Sequence, residues 1–276
     1  MTKVKNNKTD IAVFKEMKQH QEKICMLTAY DYAMAKCVSA TSVDIILVGD
    51  SLGMVVLGYE DTLQVTLENM IYHCSAVRRG APDSFIIADM PYLSFHLSEK
   101  QTRQNAGKLI VQGKANAVKL EGGSKSRIDA IKAIVDMEIP VCAHLGLTPQ
   151  SIRKFGGYKV QGKKPVEQEE LLKQAEEVAK AGAFMLVLEG IPELLGKEIT
   201  ETVSIPTIGI GAGRFTDGQV LVYHDLLGYS DLQPKYVKQY ANLNNDIREA
   251  IELFSQEVKN GVFPAPENIY YPLIQQ

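Results

Sequence analysis

No run of about 18 consecutive apolar residues occurs anywhere in the chain, so no membrane-spanning helix is expected. Cysteine is scarce and scattered. Cys25, Cys37, Cys74 and Cys142 form no CxxC pair, which excludes a zinc knuckle and a small disulfide framework. A large excess of one charge is also missing: the formal net charge is −3, and nothing invites nucleic acid or a membrane surface. Internal repeats and low-complexity tracts are absent. The opening MTKVKNNKTD is basic and polar and lacks the apolar core of a secretory signal. A soluble protein of the reducing cytoplasm is the expectation.

What is there is an alternation of strands and helices. The 45% hydrophobic content supports a large buried core, while the 23% charged content is that of an ordinary globular protein. Eight short apolar runs fall at about 24–29, 44–49, 84–89, 117–121, 140–145, 184–189, 206–210 and 220–225. Between them lie stretches with apolar residues at i, i+3, i+4 spacing, such as 98–113, opened by Ser98 as an N-cap, then 124–137 and 168–181. Eight strands in about 250 residues predict one (β/α)8 barrel domain over 1–276, with an N-terminal helix and a C-terminal helical extension. A doubly wound dinucleotide fold is disfavoured. The glycines of IGIGAG (Gly209, Gly211, Gly213) are spaced GxGxG rather than GxGxxG, and they come late in the chain.

Two connections are longer than a barrel needs. Residues 51–66 read as a small hairpin over the mouth. Residues 148–165 carry Arg153, Lys154, Lys159, Lys163 and Lys164 with no acid, which fits either a lid that meets an anionic substrate or a solvated loop. An amphipathic helix from about 235 to 259 is long enough to cap the barrel or to reach a neighbouring subunit.

Five of the runs end in an acidic or polar side chain: Asp50, Asp89, Glu121, His144 and Glu189. In a parallel barrel these positions lie on the C-terminal rim, where the loops form the mouth of an active site. Alternation puts Lys119 and Glu121 on one face and Val118 and Leu120 on the other. The charged pair then points to the axis, where charge needs partners. Neighbouring strands sit about 4.7–4.9 Å apart, so Asp50, Asp89 and Glu121 are expected as one cluster. Carboxylates about 4 Å apart repel by roughly 4 kcal/mol at an effective dielectric near 20, and Lys119 alone does not balance three. Oxygen donors without a cysteine or histidine pair favour magnesium over zinc. The alternative is that one or two of the acids only cap helices.

Glu189 is expected across the cavity from Asp50, away from the cluster, where it is placed as a general base. A structural acid paired with a lysine is the alternative. Metal on one wall and base on the other is the geometry for taking a proton from carbon beside a polarised carbonyl. His144 lies between them, as a substrate contact or as a neutral core histidine. His20, His73, His96 and His224 show no HxxxH spacing and read as structural. Asp225, at the end of the eighth run, has no assigned role.

The segments LTAYD (27–31), VGDSLGMVVLGYEDT (48–62), ADMPY (88–92), VKLEGG (118–123), HLGLTPQS (144–151), GGYKVQGK (156–163), LEGIP (188–192), IGIGAG (208–213) and DGQVLVYHDLLG (217–228) run in one order over nearly the whole chain. In these motifs the chain resembles the ketopantoate hydroxymethyltransferase family, also called 3-methyl-2-oxobutanoate hydroxymethyltransferases. The resemblance implies a (β/α)8 barrel that uses magnesium and 5,10-methylenetetrahydrofolate to add a hydroxymethyl group to 3-methyl-2-oxobutanoate, giving 2-dehydropantoate on the route to pantothenate and coenzyme A. It implies Asp50, Asp89 and Glu121 at the metal, Ser51 and Lys119 on the keto acid, and Glu189 as proton acceptor; Asp50, Asp89 and His144 are expected to line the same keto-acid pocket. It also implies a cytoplasmic homo-oligomer, up to a decamer. Thr216 and Asn268 depart from the residues common in the family, and neither belongs to the implied metal or base. Two rivals stand beside this reading. One is a phosphoenolpyruvate mutase or isocitrate lyase type of carbon–carbon bond enzyme, disfavoured because 148–165 lacks a loop cysteine; the other is a non-catalytic binder on a barrel scaffold.

Overall fold

The computed structural model describes residues 10–230 and 234–272. The basic opening segment, residues 1–9, lies outside the described residues. Eight strands, β1 Ile24–Thr28, β2 Ile45–Val48, β3 Phe85–Asp89, β4 Ala117–Glu121, β5 Val141–Gly146, β6 Met185–Glu189, β7 Thr207–Ile210 and β8 Gly218–Leu221, pair in parallel and in sequence order. β8 returns to β1 and closes the barrel. The helices are α1 Ala12–Gln19, α2 Tyr32–Ser39, α3 Leu52–Val55, α4 Leu67–Gly80, α5 Glu99–Val111, α6 Lys125–Val135, α7 Ile152–Phe155, α8 Pro165–Lys180, α9 Glu193–Thr202, α10 Tyr223–Leu226 and α11 Leu243–Lys259. The (β/α)8 barrel is therefore the fold, with one helix before it and a helical segment after it. None of the described helices is long and apolar enough to cross a membrane.

Local chemistry starts several helices where the sequence signals them. Ser98 caps α5 by accepting the Gln101 N–H at 3.2 Å, and Thr66 and Asn69 form a capping box at α4. Along the strands, every second side chain enters the barrel. The inward series Phe85–Ile87–Asp89, Ala117–Lys119–Glu121, Cys142–His144 and Met185–Val187–Glu189 are apolar low in the barrel and polar at the C-terminal rim. The core and the site are thus one stack of side chains, divided by height. At the opposite end, α1 lies across the starts of the strands. Phe14 packs edge-on against Phe85 with ring centroids 5.0 Å apart, in a cluster with Ile24, Ile45, Ala117, Met185 and Ile208. Lys18 ties α1 down, donating to the Thr200 carbonyl and to Asp217, each at 2.8 Å.

The structure departs from the expected elements at four places. The helix expected from about 235 begins only at Leu243. Residues 51–66 form no hairpin: they hold α3 and a 3-10 turn at Thr62–Gln64, because the Asp61 side chain accepts the Leu63 N–H and the Tyr59 N–H returns to the Gly53 carbonyl, so the backbone donors are satisfied locally. The eighth strand begins and ends earlier than 220–225. Gly218 is its first residue, where a Cβ would collide with the Ile24 carbonyl, and Tyr223–Leu226 is helical, so Asp225 does not end a strand. The long connection after β5 is not all loop: Pro149–Ser151 and α7 are helical turns.

The described residues fall into two compact units divided after Tyr223. In the second, α11 has no buried side chain, and Phe254 meets Phe263 edge-on at 5.5 Å.

Candidate active site

The strand ends bring the expected residues together. Asp89 ends β3 in register with Lys119, Glu121 ends β4 opposite His144, and Gly146 of β5 pairs with Glu189 at the end of β6. Asp50 follows β2 by two residues. Its N–H donates to Asp89 Oδ2 at 3.0 Å, which holds the Asp89 carboxylate against the start of the connection after β2. Gly49 permits this, since a Cβ there would lie 2.9 Å from Ser51 Oγ and 3.4 Å from Asp89 Oδ2. Ser51 shares a hydrogen bond with the fully buried Tyr30 hydroxyl at 2.8 Å.

Lys119 Nζ sits 2.9 Å from Asp89 Oδ1, but the approach is poorly angled and leaves that buried oxygen without a hydrogen-bond donor. Glu121 accepts the Gln150 N–H at 2.9 Å and lies 3.5 Å from His144 Nδ1. On the other ring edge, His144 Nε2 is 3.3 Å from Glu189, at ion-pair range rather than in hydrogen-bond geometry. Glu189 was expected away from the acid cluster. It stands one strand beyond Glu121's neighbour, with His144 between the two, because β4, β5 and β6 are consecutive neighbours.

Gln150 is the residue that charge-based reading passes over. Its amide donates to Asp50 Oδ2 at 2.8 Å and to the Met90 carbonyl at 2.9 Å, while its own N–H holds Glu121. Gln150 and Tyr30 stood inside the motifs HLGLTPQS and LTAYD, yet both are uncharged. Tyr158, in GGYKVQGK, reaches from the loop after α7 and donates to Met54 Sδ at 3.2 Å, while the Gln161 N–H holds the Gly190 carbonyl at 2.9 Å. In the same connection Arg153 of α7 pairs with Asp61 at 3.1 Å. The connection after β5 therefore ties the one after β2 to the residue after Glu189.

Four carboxylates, Asp50, Asp89, Glu121 and Glu189, face two cations, Lys119 and His144. Burial, with Asp89 and Glu121 alongside, pushes Asp50 well above the usual carboxylate range, and Lys119 and Gln150 offset only part of this. Burial raises Asp89 too, against the pull of Lys119. Burial acts in the same direction on Glu121, but His144, Lys119 and the Gln150 N–H outweigh it and leave Glu121 low. Burial and the Lys119 ammonium act to discharge His144, yet Glu121 and Glu189 hold it up at about 9. The two flanking carboxylates thus favour the charged imidazole, against the Lys119 ammonium that lies 3.4 Å from Nδ1. Burial works against the charge on Lys119, and Asp89, Glu121 and Asp50 restore it.

Among the described residues no three His, Cys, Asp or Glu side chains converge as a ready metal cage. Magnesium is commonly held by one or two carboxylates with water or substrate oxygens completing its sphere. Asp50 and Asp89 fit that donor set: both are buried oxygen ligands, Asp50 keeps an excess of negative neighbours that Lys119 and Gln150 offset only in part, and Asp89 Oδ1 has the Lys119 ammonium 2.9 Å away. Glu121 is engaged by Gln150 and His144.

A closed parallel barrel with buried carboxylates on its C-terminal rim has the architecture of a (β/α)8 barrel enzyme. Solved structures with the same fold include phosphonopyruvate hydrolase (TM-score 0.64, 10% identity, 97% of this chain and 92% of that one) and 2,3-dimethylmalate lyase of the PEP mutase/isocitrate lyase superfamily (TM-score 0.60, 14% identity, 95% and 92%). At such identities the likeness is one of fold. Within this class the sequence is specific: the model of the ketopantoate hydroxymethyltransferase family matches residues 8–266, and the chain belongs to that family. Relatives named 3-methyl-2-oxobutanoate hydroxymethyltransferase include those of Clostridium beijerinckii, 53% identical over 95% of this chain and 96% of the relative, and Enterococcus faecalis, 54% identical over 95% of each.

Proposed function

We propose that the chain transfers a hydroxymethyl group from 5,10-methylenetetrahydrofolate to 3-methyl-2-oxobutanoate, giving 2-dehydropantoate for pantothenate and coenzyme A synthesis. The observation that carries this reading is the row Asp50, Asp89, Lys119, Glu121, His144, Glu189 on one rim, with an acid pair at one end and a separate carboxylate at the other. Asp50 and Asp89 would hold magnesium, which supplies Lewis-acid polarisation of the keto oxygen. Lys119 balances the substrate carboxylate, and the Ser51 hydroxyl, steered by Tyr30, is placed to donate to it. Glu189 takes the proton from the branched carbon, and the enolate so formed attacks the methylene carbon of the donor as one of its two C–N bonds opens. Water then replaces the remaining amine at that carbon, and tetrahydrofolate leaves with the proton Glu189 received and one from the water. His144, charged and lodged between Glu121 and Glu189, fixes the orientation of the base and keeps Glu121 ionised.

The exposed apolar side chains of α11, Ile251, Phe254 and Val258, support the homo-oligomer reading, and the free, exposed Cys25 and Cys37 support a reducing cytoplasm. The decisive experiment combines the purified chain with magnesium, methylenetetrahydrofolate and the branched keto acid, and identifies the product by mass. Formation of 2-dehydropantoate is expected. Turnover of oxaloacetate or isocitrate instead would overturn the reading.

A further inference from the structure

On the rim beyond Glu121 stands a second group of side chains that the chemistry above does not use. Arg127, in the first turn of α6, folds back over Gly122, the residue after Glu121, so that a Cβ on Gly122 would lie 3.2 Å from Arg127 Cγ. Its guanidinium ends over the ring of Phe95, 5.1 Å from the centroid. Phe95 belongs to the loop that leaves β3 beyond Asp89, so this side chain bridges the two rim loops next to the acid cluster.

A half-buried arginine normally finds an acid, because its five donors are fixed in a fork that suits a carboxylate. This one has none. Among the described residues its sole side-chain hydrogen bond is a long one to Ser126 Oγ at 3.5 Å, and no carboxylate lies within ion-pair reach. The nearby imidazole does not share the charge. His96 packs on Phe95 at 4.3 Å and on Tyr92 at 4.9 Å, and burial, with Arg127 beside it, pushes it down to about 4. Leu93 and Leu97 of the same loop are exposed. A cation with no acidic partner, only the Tyr92 phenol nearby, therefore stands beside a loop that offers aromatic and aliphatic surface, next to the acid cluster.

We propose that Arg127, braced on Phe95 above the end of β4, is the docking point for the carboxylate tail of the one-carbon donor, with the loop of Tyr92, Leu93 and Leu97 carrying the flat aromatic part. This rests on the donor reading given under the proposed function. The keto acid is assigned above to the rim row between Asp50 and Glu189, which has its own cation in Lys119.

The test measures binding of tetrahydrofolate and of tetrahydropterin, the same ring system without the aryl-glutamate tail, by titration calorimetry on the wild-type, R127Q and R127K chains with the keto acid present. R127Q is expected to bind tetrahydrofolate about 10- to 100-fold more weakly, the usual effect of losing a charge-assisted hydrogen bond. Its affinity for tetrahydropterin is expected to stay unchanged, and R127K is expected to recover part of the loss. Equal tetrahydrofolate affinity in wild type and R127Q, or an equal loss for both ligands, overturns the proposal alone. A wild-type chain that does not bind tetrahydrofolate overturns the donor reading itself. An unchanged thermal melt shows that R127Q is folded.

Discussion

Glu189 and His144 differ in what they ask of the chain. Replacing Glu189 by Gln keeps shape and removes the acceptor, so exchange of the branched-carbon proton with solvent should fall by about 10²–10⁴-fold, the range for general-base assistance. Exchange at the wild-type rate in E189Q, followed by NMR in deuterated water, would sink its role as base. His144 makes a prediction about stability. Its charge is favoured in the folded state, with a pKa of about 9 against an ordinary 6.5. The stabilisation it gives is thus fully present below about pH 6.5 and is lost as pH rises through about 9. Melting temperatures of wild type and H144Q should therefore differ most at pH 6 and converge toward pH 10. The charged residues of the site were legible because a buried carboxylate at a strand end is conspicuous. Tyr30, Gln150 and Tyr158 were not, since an uncharged side chain reveals its partners only after three loops have come together.

At the scale of elements, the chain pattern gave seven strands to within a residue or two, since continuous apolar runs mark strands buried on both faces. β8 was read late because it starts with Gly218 and Gln219, whose small and polar side chains hide a strand. The connection after β2 was misread because short alternating runs resemble strands until local hydrogen bonds wind them into turns. Two elements invite direct tests. Gly146 has φ +93° and leaves no room for a Cβ beside the Glu189 carbonyl. G146A should cost about 1–3 kcal/mol from backbone strain and should lower activity further by displacing the end of β6. A variant as active as wild type would show that β5 and β6 are not coupled at the rim. Gln150 ties the turn after β5 to Asp50 and to Met90. Q150A, which leaves those buried acceptors without a donor, should lose about 1–3 kcal/mol in urea unfolding.

For the whole molecule, the fold was readable from the count and order of runs, because only a closed barrel uses eight parallel strands in sequence. The assignment of the acids to a divalent ion carries a prediction at the same scale. A ligand that binds only the folded state at about 100 times its Kd adds about 2.7 kcal/mol, so magnesium should raise the melting temperature of the wild-type chain. D50N should abolish that rise while making the metal-free protein no less stable, since Asp50 is crowded by Asp89 and Glu121. A magnesium effect that survives D50N would remove Asp50 from the metal site. The plug of Phe14 and its neighbours has a last consequence for traffic. With that end packed shut, the proposed reactants share one way in, so a keto acid seated on the rim row would go in ahead of the bulky donor, and what entered last would leave first. Steady-state patterns with a dead-end analogue of each reactant should then reveal a compulsory queue rather than random arrival.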